Sequence, residues 1–291
     1  MQQPRFAFVP VGRHELHVTE WGDPAAPPIV LWHGLARTGR DFDELAEALS
    51  ADHFVLCPDT IGRGLSSWAH DPATDYSLES YADLAIGLLD HYGIDRAGWL
   101  GTSMGGLIGM RIASGACADR LSFLVINDIG PELPKPAVER IIAYSDSMPQ
   151  FDGLARADNW FRSTYLPFGP APEAFWIRMT RNSVRRLADG GFTVHYDPRI
   201  TVQFTASSDE LLSWERYSRI TLPTHLVWGT QSDLLTEQIV ARMKAEGPKP
   251  FVTAFTDCGH APSLSSSEAI TEMKAQIVRL EAAAGRGATG A

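Results

Sequence analysis

The 291-residue chain predicts an α/β fold: a mostly parallel sheet flanked by helices, with a helical segment inserted into it. Three observations carry the prediction. Short, continuously apolar runs alternate with helical patterns; the alternation breaks near residue 131 and resumes near 208; and a serine between glycines stands on the turn from one apolar run into the next helix.

The chain opens with alternating Phe6 and Phe8, a turn at Val11-Gly12-Arg13, then Leu16 and Val18, the pattern of an antiparallel hairpin. Ile29-Val30-Leu31-Trp32 is too continuously apolar for a half-exposed strand and is expected to be buried, as is His53 to Cys57. Between them Leu45, Ala46 and Leu49 mark a helix. Ser77 to Tyr92 carries Leu78, Tyr81, Ala85, Leu88 and Leu89 at helical spacing, with Ser77 as N-cap and Gly93 as terminator. The strand Ala97 to Leu100, a helix from Met104 to about Ser114 and the strand Leu121 to Asn127 continue the alternation.

Strand-like runs nearly vanish from Pro131 to about 207, while prolines, arginines and large aromatics cluster. Short helices are expected over roughly 135–147, 151–163 and 171–188. A helix near 208–218, the strand Thr224 to Trp228, a helix around 234–245, the strand Phe251 to Phe255 and an amphipathic helix from Glu268 to Glu281 complete the chain before a Gly/Ala tail expected to fray. The expected organisation is therefore a core over 1–130 and 208–291 with a helical cap over 131–207.

Composition narrows the function classes. A net charge of −10 lacks the basic stripe that nucleic acid requires, and no apolar run approaches the roughly 20 residues that span a bilayer. The three cysteines are widely spaced, without the pairing that zinc or redox sites use. No secretory pattern opens the chain, so a cytoplasmic enzyme with reduced thiols is expected, with no cofactor, no metal, and a small molecule as partner. The oligomeric state is left open.

Gly101-Thr102-Ser103-Met104-Gly105 has the form Gly-x-Ser-x-Gly. On a sharp strand-to-helix turn this form exposes the serine Oγ and aims the following N–H at a developing oxyanion. A serine hydroxyl needs a base, and the base needs an acid to orient it. His260, last in the chain and in a turn-rich Cys-Gly-His-Ala-Pro sequence, is the expected base. Asp233, in the loop after the strand ending at Trp228, is the expected acid. Asp128, directly after the strand that follows the nucleophile helix, is its rival. Leu35, after His33-Gly34, is expected to supply the second oxyanion N–H beside Met104, with Gly34, Gly101 and Gly105 permitting close approach and His33 bonding its loop. Asp59-x-x-Gly62-x-Gly64-x-Ser66 lacks the lysine and spacing of a phosphate loop and reads as a tight loop. Trp160, Tyr165, Phe168 and Trp176 are candidates for an apolar pocket, and Arg178, Arg181 and Arg185 for one charged helical face.

With these residues in place, the chain resembles the α/β-hydrolase superfamily over nearly its whole length. The resemblance implies an eight-stranded, mostly parallel sheet, a helical cap after the sixth strand, and a Ser103-His260-Asp233 triad. Relatives that open epoxides or dehalogenate place an aspartate where this chain has Ser103. Those that cleave carbon–carbon bonds usually carry a Ser-Gly-Pro-Gly-like loop and a tryptophan where this chain has Leu35-Ala36-Arg37-Thr38 and Ala261. The resemblance therefore implies a serine hydrolase of carboxylic esters or lactones. Carbon–carbon hydrolysis of a vinylogous diketone is the alternative, and a non-catalytic ligand receptor a further one.

Overall fold

A computed structural model describes residues 3–206 and 213–288. Among the described residues eleven strands form two sheets: β1 (Arg5–Val11), β2 (His14–Trp21), β3 (Pro28–Trp32), β4 (Phe54–Pro58), β5 (Ala97–Thr102), β6 (Leu121–Asn127), β7 (Gln150–Phe151), β8 (Val184–Arg186), β9 (Phe192–Val194), β10 (Thr224–Gly229) and β11 (Phe251–Phe255). The main sheet has the order β1-β2-β4-β3-β5-β6-β10-β11. The hairpin β1–β2 joins it antiparallel through β4, and every pairing from β4 to β11 is parallel. This is the α/β-hydrolase fold.

The continuous apolar runs are explained by burial on both faces. Along β3, Val30 and Trp32 point into one core, and Ile29 and Leu31 into the other. Each such side chain contributes about 1.5–3 kcal/mol by leaving water. One core lies under the helices Leu78–His91 and Met104–Ala113. The other lies under Asp43–Leu49 and the closing helix Ser267–Ala288, which extends to Ala288, into the stretch expected to fray. The Ser77 hydroxyl caps its helix by accepting from the Ser80 N–H at 3.1 Å.

Chain order turns around at β3, which is flanked by β4 on one side and β5 on the other. The loops leaving the carboxyl ends of β3 and β5 therefore diverge over opposite faces and leave a crevice between them. His33-Gly34-Leu35 and Ser103 stand at that crevice.

The segment between β6 and β10 departs from its expected all-helical form. Helices occupy Lys135–Ser145, Leu154–Thr164 and Glu173–Asn182, and β7, β9 and β8 form a small antiparallel sheet. The helix expected to run to 188 stops at Asn182, because Val184 to Arg186 pair with Val194 to Phe192. Arg185 is thus on a strand, over the Trp68 ring at 5.8 Å, and shares no helical face with Arg178 and Arg181. Arg178 pins the segment to the core, donating to both Glu44 carboxylate oxygens at 2.5 and 2.6 Å and to the Arg40 carbonyl at 2.9 Å. The helix expected over 208–218 lies partly outside the described residues; Trp214–Ser218 is its described part.

Candidate active site

Ser103 sits between β5 and its helix at φ 53°, ψ −114°, a left-handed conformation that a serine adopts only when its surroundings impose it. The glycines around it are required by space. A Cβ on Gly101 would lie 2.1 Å from the Gly105 carbonyl, and one on Gly105 would lie 2.1 Å from the Trp32 oxygen. Strand and helix can meet closely enough to make the turn only without those carbons. Met104 opens the helix, so its N–H is among the donors a helix leaves unpaired.

His260 Nε2 stands 2.8 Å from Ser103 Oγ, and its Nδ1 stands 2.9 Å from Asp128 Oδ2. The acid beside the histidine is therefore Asp128, and the expectation that Asp233 takes this place is corrected. Asp233 is half exposed and makes a two-pronged ion pair with Arg140, at 2.8 Å for each contact. The 230–235 loop carries it past the end of β10 to the surface. Asp128, by contrast, is fully buried at φ 56°, and its Oδ1 accepts the Gly229 N–H at 2.8 Å. Burial raises its carboxyl above the ordinary value, against the opposing bonds from His260 and Gly229.

The histidine loop is tied down by three hydrogen bonds, two to the adjacent Pro167 and Phe168 and one from the end of β6. The Gly259 N–H donates to the Pro167 carbonyl at 2.8 Å, the Ser263 N–H to that of Phe168 at 3.1 Å, and the Asn127 amide to that of Pro262 at 3.0 Å.

The loop after β3 is fixed with comparable thoroughness. His33 is buried, and its Nε2 accepts the Thr60 N–H at 2.8 Å, which places the ring proton on Nδ1, where it donates to the Gly34 carbonyl at 2.6 Å. Burial holds this imidazole down at about 4, so it is neutral at physiological pH. A Cβ built on Gly34 would fall 3.5 Å from Ser103 Cβ, which puts Leu35 at the edge of Ser103. Beneath the loop lies Arg63, fully buried, which donates to the Leu35 carbonyl at 2.7 Å, the Ile61 carbonyl at 2.8 Å and the Tyr81 hydroxyl at 2.8 Å. Its importance was invisible in the Asp59-to-Ser66 loop pattern. That loop folds on Asp59, whose carboxylate accepts from the Gly39 and Leu65 N–H groups at 2.9 and 3.1 Å.

Above Ser103 and His260 a cavity opens between sheet and inserted segment. Of the four aromatics named as pocket candidates, Tyr165 and Phe168 line it; Trp160 and Trp176 do not. Trp160 is spent on packing against Phe151 and Phe161, and Trp176 against Phe175 and the Arg162 guanidinium. The lining also takes Leu133, Ile141, Tyr144 and Leu234, which sequence reasoning missed: helical spacing does not tell which face of Lys135–Ser145 looks toward the sheet, and Leu133 and Leu234 lie on loops, where there is no periodicity to read. Among the described residues no group of three or more His, Cys, Asp or Glu side chains is arranged to hold a metal ion, and no helix is long and apolar enough to cross a membrane.

Fold and site together define an alpha/beta hydrolase: the chain belongs to that family, whose sequence model matches residues 29–273. It is accordingly a hydrolytic enzyme of that family. A 3-hydroxybutyrate-oligomer hydrolase of Cupriavidus necator is 37% identical over 274 residues, covering 89% of this chain and 93% of the relative. A cis-3-alkyl-4-alkyloxetan-2-one decarboxylase of Shewanella oneidensis is 26% identical, over 92% of this chain and 86% of its own length. Among solved structures, an alpha/beta hydrolase from Novosphingobium aromaticivorans superposes with a TM-score of 0.85 at 30% identity, covering 96% of this chain and 99% of the other.

Proposed function

We propose that the enzyme hydrolyses carboxylic esters, lactones included as internal esters, through an acyl-enzyme formed on Ser103. The observation that carries the reading is the unbroken relay Asp128–His260–Ser103, with contacts of 2.9 and 2.8 Å at the mouth of a cavity. Asp128 accepts the Nδ1 proton of His260 and so leaves Nε2 as a base facing Oγ. Ser103 Oγ attacks the ester carbonyl carbon while its proton passes to Nε2. The carbonyl oxygen becomes an oxyanion held by the N–H groups of Leu35 and Met104, and the alcohol departs with the proton from His260. Water, deprotonated by the same nitrogen, then attacks the acyl carbon and releases the acid and Ser103. Each oxyanion donor is worth on the order of 3 kcal/mol of barrier.

The similarity to a hydrolase of 3-hydroxybutyrate oligomers, whose units are joined by ester bonds, supports the choice of ester over other acyl groups. Residues 131–207 act in this reading as a cap whose lower face, Tyr165 and Phe168 included, selects the substrate. The test is hydrolysis of a panel of short p-nitrophenyl esters by the wild type and by Ser103→Ala, with mass spectrometry after a fluorophosphonate label. The expected result is loss of turnover in the variant and a single adduct on Ser103. Retained turnover by Ser103→Ala overturns the assignment.

A further inference from the structure

One basic side chain in the cavity wall is left with a bond unmade. Arg37, four residues past His33, is 4% exposed. Its Nε and Nη2 donate to the two oxygens of Asp41 at 2.7 and 2.6 Å, and the Tyr165 ring lies 4.7 Å from the guanidinium carbon. The Tyr165 side chain also interacts with the guanidinium, yet Nη1, equally buried, has no acceptor at full hydrogen-bond geometry among the described residues. A buried N–H donor without a partner is normally repaired by the protein or filled by a ligand, since leaving it open costs on the order of 1–3 kcal/mol. The side chain lines the same cavity as Ser103 and His260. Its stem and the nucleophile are close neighbours: the point where a Gly34 Cβ would stand is 3.5 Å from Ser103 Cβ and 3.9 Å from Arg37 Cγ.

We propose that Arg37 Nη1 binds a carboxylate carried by the substrate itself, so that the esters this enzyme prefers are monoanionic half-esters or esters of hydroxy acids. The inference rests on the ester-hydrolase reading and names its substrate class. Two features favour an anion over a neutral acceptor. A carboxylate on Nη1 meets the guanidinium at hydrogen-bond distance, about 3 Å, but meets Asp41 only across the full width of that group, so attraction exceeds repulsion. The other cation of the cavity wall, Arg140, is paired with Asp233 in the same two-pronged way, but its side chain is 46% exposed, so water meets its remaining N–H groups, whereas the remaining Nη1 of Arg37 is buried. The remaining wall around it is largely apolar, with Leu35, Leu133, Ile141 and Phe168 strengthening a charge-assisted bond by excluding water.

The experiment compares matched ester pairs that differ only in a terminal carboxylate or carboxamide. One pair carries the group on the acyl part (p-nitrophenyl hemiglutarate and its carboxamide) and one on the alcohol part (3-butanoyloxybutanoate and its carboxamide). The wild type should favour the carboxylate in at least one pair by about tenfold or more in kcat/KM, chiefly through KM, and the responding pair tells which half of the ester reaches Arg37. Arg37→Met should abolish that preference while changing carboxamide turnover less than about threefold. Because Arg37→Met strands Asp41, Arg37→Met with Asp41→Asn serves as a second variant with no unpaired charge, and the same loss of preference is expected there. Equal rates for carboxylate and carboxamide in both pairs with wild type, or a preference that survives both variants, overturns the proposal. Calorimetric titration of Ser103→Ala with glutaramate and with the neutral glutaramide separates this reading from the one beneath it. Tighter binding of the anion, lost with Arg37→Met, supports the carboxylate site even where Ser103 is not the nucleophile, and equal binding overturns it even where Ser103 is.

Discussion

Replacing Asp128 by asparagine should abolish turnover while leaving the protein at least as stable as before; replacing Asp233 should do almost nothing. The Asp128 side chain accepts one proton from the Gly229 N–H at 2.8 Å and one from His260 Nδ1 at 2.9 Å. In Asp128→Asn the carbonyl oxygen keeps the Gly229 bond, and the amide NH2 is turned toward Nδ1. That nitrogen must then give up its proton and accept. The ring proton moves to Nε2, which now donates to Ser103 Oγ and can no longer take its proton. In this constellation loss of the correct tautomer costs about 10⁴-fold in rate, or about 5.5 kcal/mol of barrier. Asp233 and Arg140 are 51% and 46% exposed at the side chain, and a pair so solvated is worth about 0–1 kcal/mol, so Asp233→Asn should keep rates within about fivefold. Stability moves the other way. Burial raises the Asp128 carboxyl in the folded state above its unfolded value. The folded protein therefore holds that proton more tightly than the unfolded chain does, stability falls as pH rises through the interval between the two values, and at neutral pH the ionised group is a net cost. Asp128→Asn removes it. The assay is initial rate on p-nitrophenyl butyrate beside thermal unfolding at neutral pH. A hundredfold loss in Asp233→Asn together with near-normal rates in Asp128→Asn would refute the reasoning.

Acid should unfold the protein early. Burial holds the imidazoles of His33, His195 and His225 down at about 4, from an ordinary value of 6.5. The unfolded chain thus takes up protons first, and stability is lost as pH falls from about 6.5 toward about 4, on the order of 3 kcal/mol per histidine. Urea midpoints measured across that interval should fall steeply, and a flat profile would sink the idea. Arg63→Met should lower both stability and kcat, because the Leu35, Ile61 and Tyr81 oxygens it serves would lose their donor while the cavity itself stays intact. A drop of about tenfold or more in kcat with KM nearly unchanged is expected. A change confined to KM would show that Arg63 does not act on the loop carrying Leu35.

Much of this protein was settled locally. The sheet strands, their helices and the turn bearing Ser103 follow from apolar runs, glycines and caps that act over a few residues, and steric limits of the same range force the strained serine once Gly101 and Gly105 flank it. Even the pairing of Ser103 with His260 needed only the order of elements. The choice between the two aspartates was different. β6 and β10 are neighbours in the sheet, in register from Thr224 opposite Leu124, so the loops that carry Asp128 and Asp233 leave the same edge side by side. Either carboxylate could reach the histidine as far as the linear pattern is concerned. What decides is a left-handed φ of 56° at Asp128, a Gly229 N–H aimed at its oxygen, and the draw of Arg140 on Asp233 from a helix almost a hundred residues away in the chain. The cavity was equally out of reach, since Trp160 and Tyr165 sit on one aromatic cluster but of the two only Tyr165 shares the cavity with Ser103. Periodicity reports which residues turn inward; which neighbour they meet there is set by how distant elements pack, and that is where the acid, the pocket and the open bond of Arg37 were determined.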